Sequence, residues 1–174
     1  MNRRIFLVGG LALVGLVRRA RAQLANPVRY APLTRPVTIP VSAVNAPWQP
    51  VPFVAEARVR QDVGAAGVSG RRVLISGILF RNHTQLSALC VTCPHEQCQV
   101  DLVTDTERLA RMLDGKATNP LFECGCHFSV FDAAQDGARL SGESPRGLYR
   151  FRIGGIRDGA VEITDVEEAA LSEV

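Results

Sequence analysis

Three things are missing from this chain. It has no apolar run of membrane-spanning length: the uncharged stretch from Ile5 to Val17 is thirteen residues. As a helix that rises only about 20 Å against roughly 30 Å of bilayer hydrocarbon, which argues against a full transmembrane span. It has no Lys/Arg run in its body. Five of the 20 basic residues (Arg3, Arg4, Arg18, Arg19 and Arg21) lie in the first 22 positions, leaving 15 basic against 17 acidic, a balance of −2. No nucleic-acid partner is expected from that charge. No internal repeat or low-complexity tract is apparent either, so 174 residues with 47% apolar content read as one globular domain plus a short appendage.

The appendage is N-terminal. Arg3-Arg4, the apolar run and the small-x-small triplet Ala20-Arg21-Ala22 have the order of an export signal over residues 1–22. Arg3-Arg4-Ile5-Phe6-Leu7 resembles the twin-arginine signal. Arg18-Arg19 is unusual beside a cleavage site, which leaves retention as a short N-terminal anchor open. The expected location is the periplasm, exported, at the outer face of the cytoplasmic membrane.

Seven of the ten prolines fall between Pro27 and Pro52, where fixed φ angles and missing N–H donors favour extended chain. Residues 23–50 therefore read as a Pro-rich linker and edge strand. From there short apolar runs alternate with turn residues: Phe53–Val59, Val73–Phe80, Leu86–Val91, Ser129–Phe131, Leu148–Ile153 and Ala160–Ile163. That spacing predicts an all-β antiparallel sandwich or barrel. Thr104-Asp105-Thr106-Glu107 offers a capping box, Leu109, Met112 and Leu113 share one helical face, and Gly115 is a stop, so one short helix is expected there. Residues 165–174 hold Asp165, Glu167, Glu168 and Glu173 and read as an acidic tail, solvated or in a short helix.

Chemistry-bearing residues concentrate in two segments, Cys90-Val-Thr-Cys93-Pro-His95-Glu-Gln-Cys98 and Cys124-Gly-Cys126-His127, with the helix between them. Cysteines and histidines grouped in this way are candidate metal ligands. Cys90-x-x-Cys93 with Cys124 and a histidine would suit zinc. A c-type haem is excluded, because neither Cys-x-x-Cys pair is followed directly by histidine. His83 reads as a surface turn residue. Cys90, between Leu89 and Val91, reads as a buried strand cysteine.

Cys93-Pro-His95-Glu-Gln-Cys98 and Cys124-Gly-Cys126-His127-Phe-Ser129-Val-Phe131-Asp132 resemble the two cluster-binding loops of Rieske proteins, most closely those of cytochrome bc complexes. Ser141-Gly142-Glu-Ser-Pro145-Arg-Gly-Leu148 is similar to the proline loop that shields the cluster in that family. The resemblance spans roughly residues 48–163 and implies a Rieske domain over 51–164 with a cluster-binding subdomain. It implies one [2Fe–2S] cluster per chain, with Cys93 and Cys124 on one iron and His95 and His127 on the other. It also implies a Cys98–Cys126 disulfide, which suits an oxidising compartment. In the bc-type family a serine and a tyrosine near the second loop donate hydroxyl hydrogen bonds to sulfur. Ser129 matches the serine, whereas Phe131 stands at the tyrosine position without a hydroxyl. One such bond, about 1 kcal/mol, is roughly 40–50 mV in a one-electron couple, so the potential is expected to be high but below that of relatives with both donors. Glu96-Gln97 departs from the apolar residue and glycine usual there, and the stretch between Cys98 and Cys124 is longer than usual.

The function this resemblance implies is electron transfer, with no residue catalytic alone. The leading expectation is the iron–sulfur subunit of a quinol–cytochrome c oxidoreductase of the respiratory chain, partnered by b-type and c-type cytochromes with quinol as donor. The alternative is the small subunit of a periplasmic molybdenum enzyme such as arsenite oxidase, partnered by a molybdopterin catalytic subunit. Rieske ferredoxins of ring-hydroxylating oxygenases are a third class, disfavoured because they are cytosolic and lack the disulfide pair.

Overall fold

The computed structural model of the chain describes residues 27–62, 68–114 and 119–172. The export-signal or anchor reading of residues 1–22 and the helix stop at Gly115 lie outside the described residues. Strands dominate the described residues: β1 (Tyr30–Pro40), β2 (Val51–Asp62), β3 (Val68–Arg81), β4 (Leu86–Cys90), β5 (Val100–Val103), β6 (Leu121–Cys124), β7 (Ser129–Asp132), β8 (Ala138–Ser141), β9 (Phe151–Arg157) and β10 (Ala160–Glu167), with one α-helix among them, α1 (Thr106–Met112). All registered pairings between these strands are antiparallel. Among the described residues the expected all-β architecture with one short α-helix is what is found.

The strands form two sheets, a basal one in the order β4-β3-β2-β1-β10-β9 and a smaller one in the order β5-β6-β7-β8. The basal sheet nearly closes into a barrel. Cys90 N donates to Tyr149 O at 2.8 Å and Leu89 bridges to Arg150, joining β4 to the approach of β9.

Alternation along β3 and β4 explains how one chain builds two cores. Val73, Ile75 and Leu79 of β3, with Ala88 and Cys90 of β4, face the basal core, whereas Ile78 and Phe80 of β3 and Leu89 of β4 face the second core with Phe122, Phe131 and Leu148. Side chains two apart share a face. From Gly77 onward β3, together with β4, is therefore covered on both sides, and this stretch serves as the wall between the basal barrel and the smaller sheet.

The small sheet is likewise covered twice. Val100, Phe122, Cys124 and Phe131 point to the second core, while Val103, Leu121 and Val130 pack under Leu109 of α1. The helix between the two cysteine loops is thus the lid on the outer face of the sheet that carries the second loop. Its cap is one residue later than the capping box placed it. Asp105, not Thr104, is the N-cap, and its carboxylate accepts from Arg108 N at 2.7 Å; a carboxylate caps as well as a hydroxyl and adds charge favourable to the helix dipole.

At the chain ends one reading is corrected and one of two alternatives is selected. Tyr30–Pro40 is an interior strand, not an edge, because it pairs with β10 on one side and β2 on the other. The prolines act more subtly than by exclusion: the β10 register shifts between Pro32 and Val37, and a single registered pair, Leu33 with Ala57, joins β1 to β2. Missing donors thin the ladder without removing the strand. The acidic tail is folded in as well. β10 runs to Glu167, a 3-10 turn covers Glu168–Leu171, and Ala170 and Leu171 are buried in the basal core, so apolar burial outweighs the local charge.

Candidate metal centre

The first loop leaves β4 at Cys90 and is closed on itself before β5. Thr92 bridges to Gln99, Val100 N donates to Val91 O at 2.9 Å, Cys93 N donates to Cys98 O at 2.8 Å, and Gln97 N donates to Cys93 O at 3.0 Å. Gln97 takes the left-handed conformation, φ 60°, that turns the chain back. The second loop is the four-residue hairpin turn Gly125–Phe128 between the paired ends Cys124 and Ser129. Phe128, also left-handed at φ 54°, is thrown outward and is 73% exposed. Cys98 and Cys126 are joined by a disulfide across the two loops.

That bond leaves Cys93 and Cys124 as buried free thiols at the base of the loops. Opposite them His95 and His127 meet with ring centroids 4.6 Å apart and planes at 79°. Their Nδ1 atoms are both buried without a hydrogen-bond partner. An unpartnered buried imidazole nitrogen costs desolvation energy, and two on adjacent rings, with two buried thiols, fit a cluster that takes two nitrogen and two sulfur ligands. The four residues that would hold it are Cys93, His95, Cys124 and His127. Burial pushes the Cys93 thiol up, its hydrogen bond from the His95 backbone pulls it back, and the neighbouring Cys124 thiol raises it further. A metal must therefore displace a proton there, so loading releases protons and is favoured at higher pH.

The other side of the site is solvent. His127 Nε2 lies 3.6 Å from the Glu96 carboxylate; the His127 side chain is half-buried and that of Glu96 exposed. Cys90 takes no part in it: its thiol points into the basal core, where burial and the Glu167 charge push its pKa up. The zinc set built on Cys90 with Cys93 is thereby overturned, because the two thiols stand on opposite sides of the shared wall. His83 is an exposed turn residue, its ring edge-on to Trp48.

The remaining residues singled out from the motifs surround the thiols. Ser129 is fully buried and its Oγ accepts from Ser144 N at 2.9 Å. That contact uses a lone pair and leaves the hydroxyl proton free to donate. Phe131 is fully buried in the apolar cluster that includes Cys93 and Cys124. Pro145 is exposed, at the outside of the loop Ser141–Leu148. Gly142 lets that loop approach: at φ 89°, its hypothetical Cβ would stand 2.3 Å from Ser129 Cα. Any side chain there would lever the loop off.

Sequence reasoning missed Ser144, Arg146 and Glu167. Ser144 is 1% exposed, donates its N–H to Ser129 and its hydroxyl to Arg146 O at 2.8 Å, and its hydroxyl also lies beside the Cys93 thiol. Its one signal was a polar residue preceding the loop proline. Glu167 is buried and receives Arg146 and, at 2.7 Å, Arg150; nothing local marked it among the other terminal acids.

Two buried thiols and two adjacent imidazoles, on disulfide-braced loops of an antiparallel β domain, make this a candidate Cys2His2 metal site with one side toward solvent. The family model described as Rieske [2Fe-2S] domain matches residues 47–152, and the chain belongs to that family. No curated protein is matched by this sequence. Membership specifies electron transfer through a [2Fe–2S] cluster and, as the cofactor, that cluster rather than zinc.

Proposed function

We propose that this protein is the iron–sulfur subunit of a bc-type quinol–cytochrome c oxidoreductase, exported to the periplasmic face of the membrane, with b-type and c-type cytochromes as partners. When bound, a [2Fe–2S] cluster with two neutral imidazole ligands supplies one-electron transfer at a potential above that of an all-thiolate centre. The observation that carries the reading is the half-buried His127, with its Nδ1 buried and its Nε2 beside the exposed Glu96 carboxylate. A nitrogen on that side supports the reading, because a hydroxyl donor such as quinol would hydrogen-bond to it and pass it a proton. The cross-loop disulfide supports an oxidising compartment, and the second core keeps water from the thiols. Among the described residues no helix is long and apolar enough to cross a membrane, so attachment would rest on residues 1–22 or on the partner subunits.

One observation favours a second reading, the small subunit of a periplasmic molybdenum oxidoreductase with a molybdopterin catalytic partner. Glu96 puts a carboxylate beside His127 Nε2, where an apolar quinol site would have to desolvate it. Fractionation of the native host separates the two. Recovery from washed membranes together with a b-type cytochrome supports the first reading; recovery from the soluble periplasm with a molybdopterin subunit overturns it.

A further inference from the structure

Glu167 is the unexplained group of this fold: a carboxylate 1% exposed at the end of β10, in the basal sheet and away from the ligand loops in sequence. Burying a carboxylate is costly unless it is paired, and its two partners differ in where they lead. Arg150, at 2.7 Å, sits beside the basal sheet at the approach to β9. Arg146 belongs to the proline loop; its guanidinium donates to the other Glu167 oxygen and lies 4.3 Å over the Tyr149 ring.

From Arg146 the contacts continue inward. Its carbonyl accepts Ser144 Oγ at 2.8 Å, and Ser144 N donates to Ser129 Oγ at 2.9 Å. Ser129 pairs with Cys124, a candidate cluster ligand. The segment 142–147 lies outside the named strands; Arg139 holds its start through Gly142 O at 2.9 Å, and these contacts hold its middle. Because Ser129 Oγ accepts from Ser144, the direction left for its own proton is fixed by where Ser144 is held.

We propose that Glu167 is a positioning residue for the cluster: through Arg146 and Ser144 it holds the Ser129 hydroxyl in the orientation that donates to cluster sulfur. A charge in the basal sheet thereby tunes the potential at the tip. The inference goes beyond the choice of complex and holds for either, since it concerns the cluster in the chain itself.

The test is the midpoint potential of the cluster-loaded full chain, by protein-film voltammetry at fixed pH, for Glu167→Gln, Ser129→Ala and the double variant. The expected result is a lower potential for Glu167→Gln, and a double variant no lower than Ser129→Ala alone. The sign is diagnostic, because loss of a negative charge acting through space would favour the reduced cluster and raise the potential. A rise overturns the proposal, as does an unchanged potential with a lowered melting temperature, which is all that a brace of the fold would produce. A fall that adds fully to that of Ser129→Ala, or a Ser129→Ala potential equal to wild type, overturns it equally. Should Glu167→Gln fail to fold, Arg146→Lys keeps the charge but not the planar donor. Its potential should fall in the wild-type background and not in Ser129→Ala; no change overturns the proposal.

Discussion

At the scale of single residues, two side chains on one face of β7 bear on the potential from opposite directions. Ser129 has a hydroxyl proton to give and Phe131 has none, yet Phe131 lies in the same packed cluster as the Cys93 and Cys124 thiols. Ser129→Ala should lower the potential by about 40–50 mV, the equivalent of one hydrogen bond of about 1 kcal/mol, and Phe131→Tyr should raise it by a similar amount. Voltammetry of both variants checks the pair, and the opposite signs matter more than the sizes. Cys90 makes a separate prediction. With its folded pKa raised by burial and by Glu167, the thiol stays protonated where an unfolded cysteine ionises. The stabilising difference is fully present below the ordinary thiol range near 8.5 and is lost as pH rises above it. Between pH 8 and 10 the native protein should leave Cys90 unalkylated by iodoacetamide while urea-unfolded protein reacts. The same rise should destabilise wild type more than Cys90→Ala.

At the scale of elements, the ligand loops and the helix between them each depend on one device. The Cys98–Cys126 bond spans 28 residues. In the chain-entropy model it constrains the unfolded state by about 3–4 kcal/mol, and in the folded state it ties the turn carrying His127 to the loop carrying His95. Cys98→Ser should lose about that stability in urea titration and bind less iron per chain by elemental analysis. The helix gives a sharper discrimination. Asp105→Ala removes the carboxylate that accepts from Arg108 N and should cost about 1 kcal/mol. Thr104→Ala, at the position the capping box favoured, should be nearly neutral by the same denaturation measurement. The motif placed the helix correctly because apolar residues at helical spacing needed a face to cover; which of two adjacent polar residues caps it was decided by the entry of the chain from β5.

At the scale of the whole molecule, the terminus read as an acidic tail is part of the barrel. Deleting residues 168–174 removes Ala170 and Leu171 from the basal core and the bond from Glu168 N to Arg29 O, 2.9 Å. The expected loss is about 2–4 kcal/mol, from the apolar area exposed and the cavity left, visible as a lower urea midpoint. A freely solvated tail would leave the midpoint unchanged. The two cores sharing β3 and β4 couple the halves further, so the small sheet should not persist once the basal barrel opens. A single unfolding transition, followed together by cluster absorbance and far-ultraviolet circular dichroism, is the measurement that checks it.

What the sequence determined by itself was local. Cys93 with His95 and Cys124 with His127 are close neighbours in sequence because the backbone of one tight loop must aim both side chains at one centre. Strand runs and the helix were legible for the same reason, each being a periodic pattern within one segment. Three things were left to the tertiary structure. Cys90 and Cys93 are three residues apart yet lie in different cores, which is decided by β4 turning Cys90 to the basal core before the chain leaves for the ligand loop. The prolines of β1 mark missing donors, but whether the strand stands at an edge depends on β10 and β2 closing on it from distant parts of the chain. Glu167 meets its arginines across 21 and 17 residues. A buried ion pair leaves no local periodicity, because its partners are chosen by the packing of the barrel and not by their spacing.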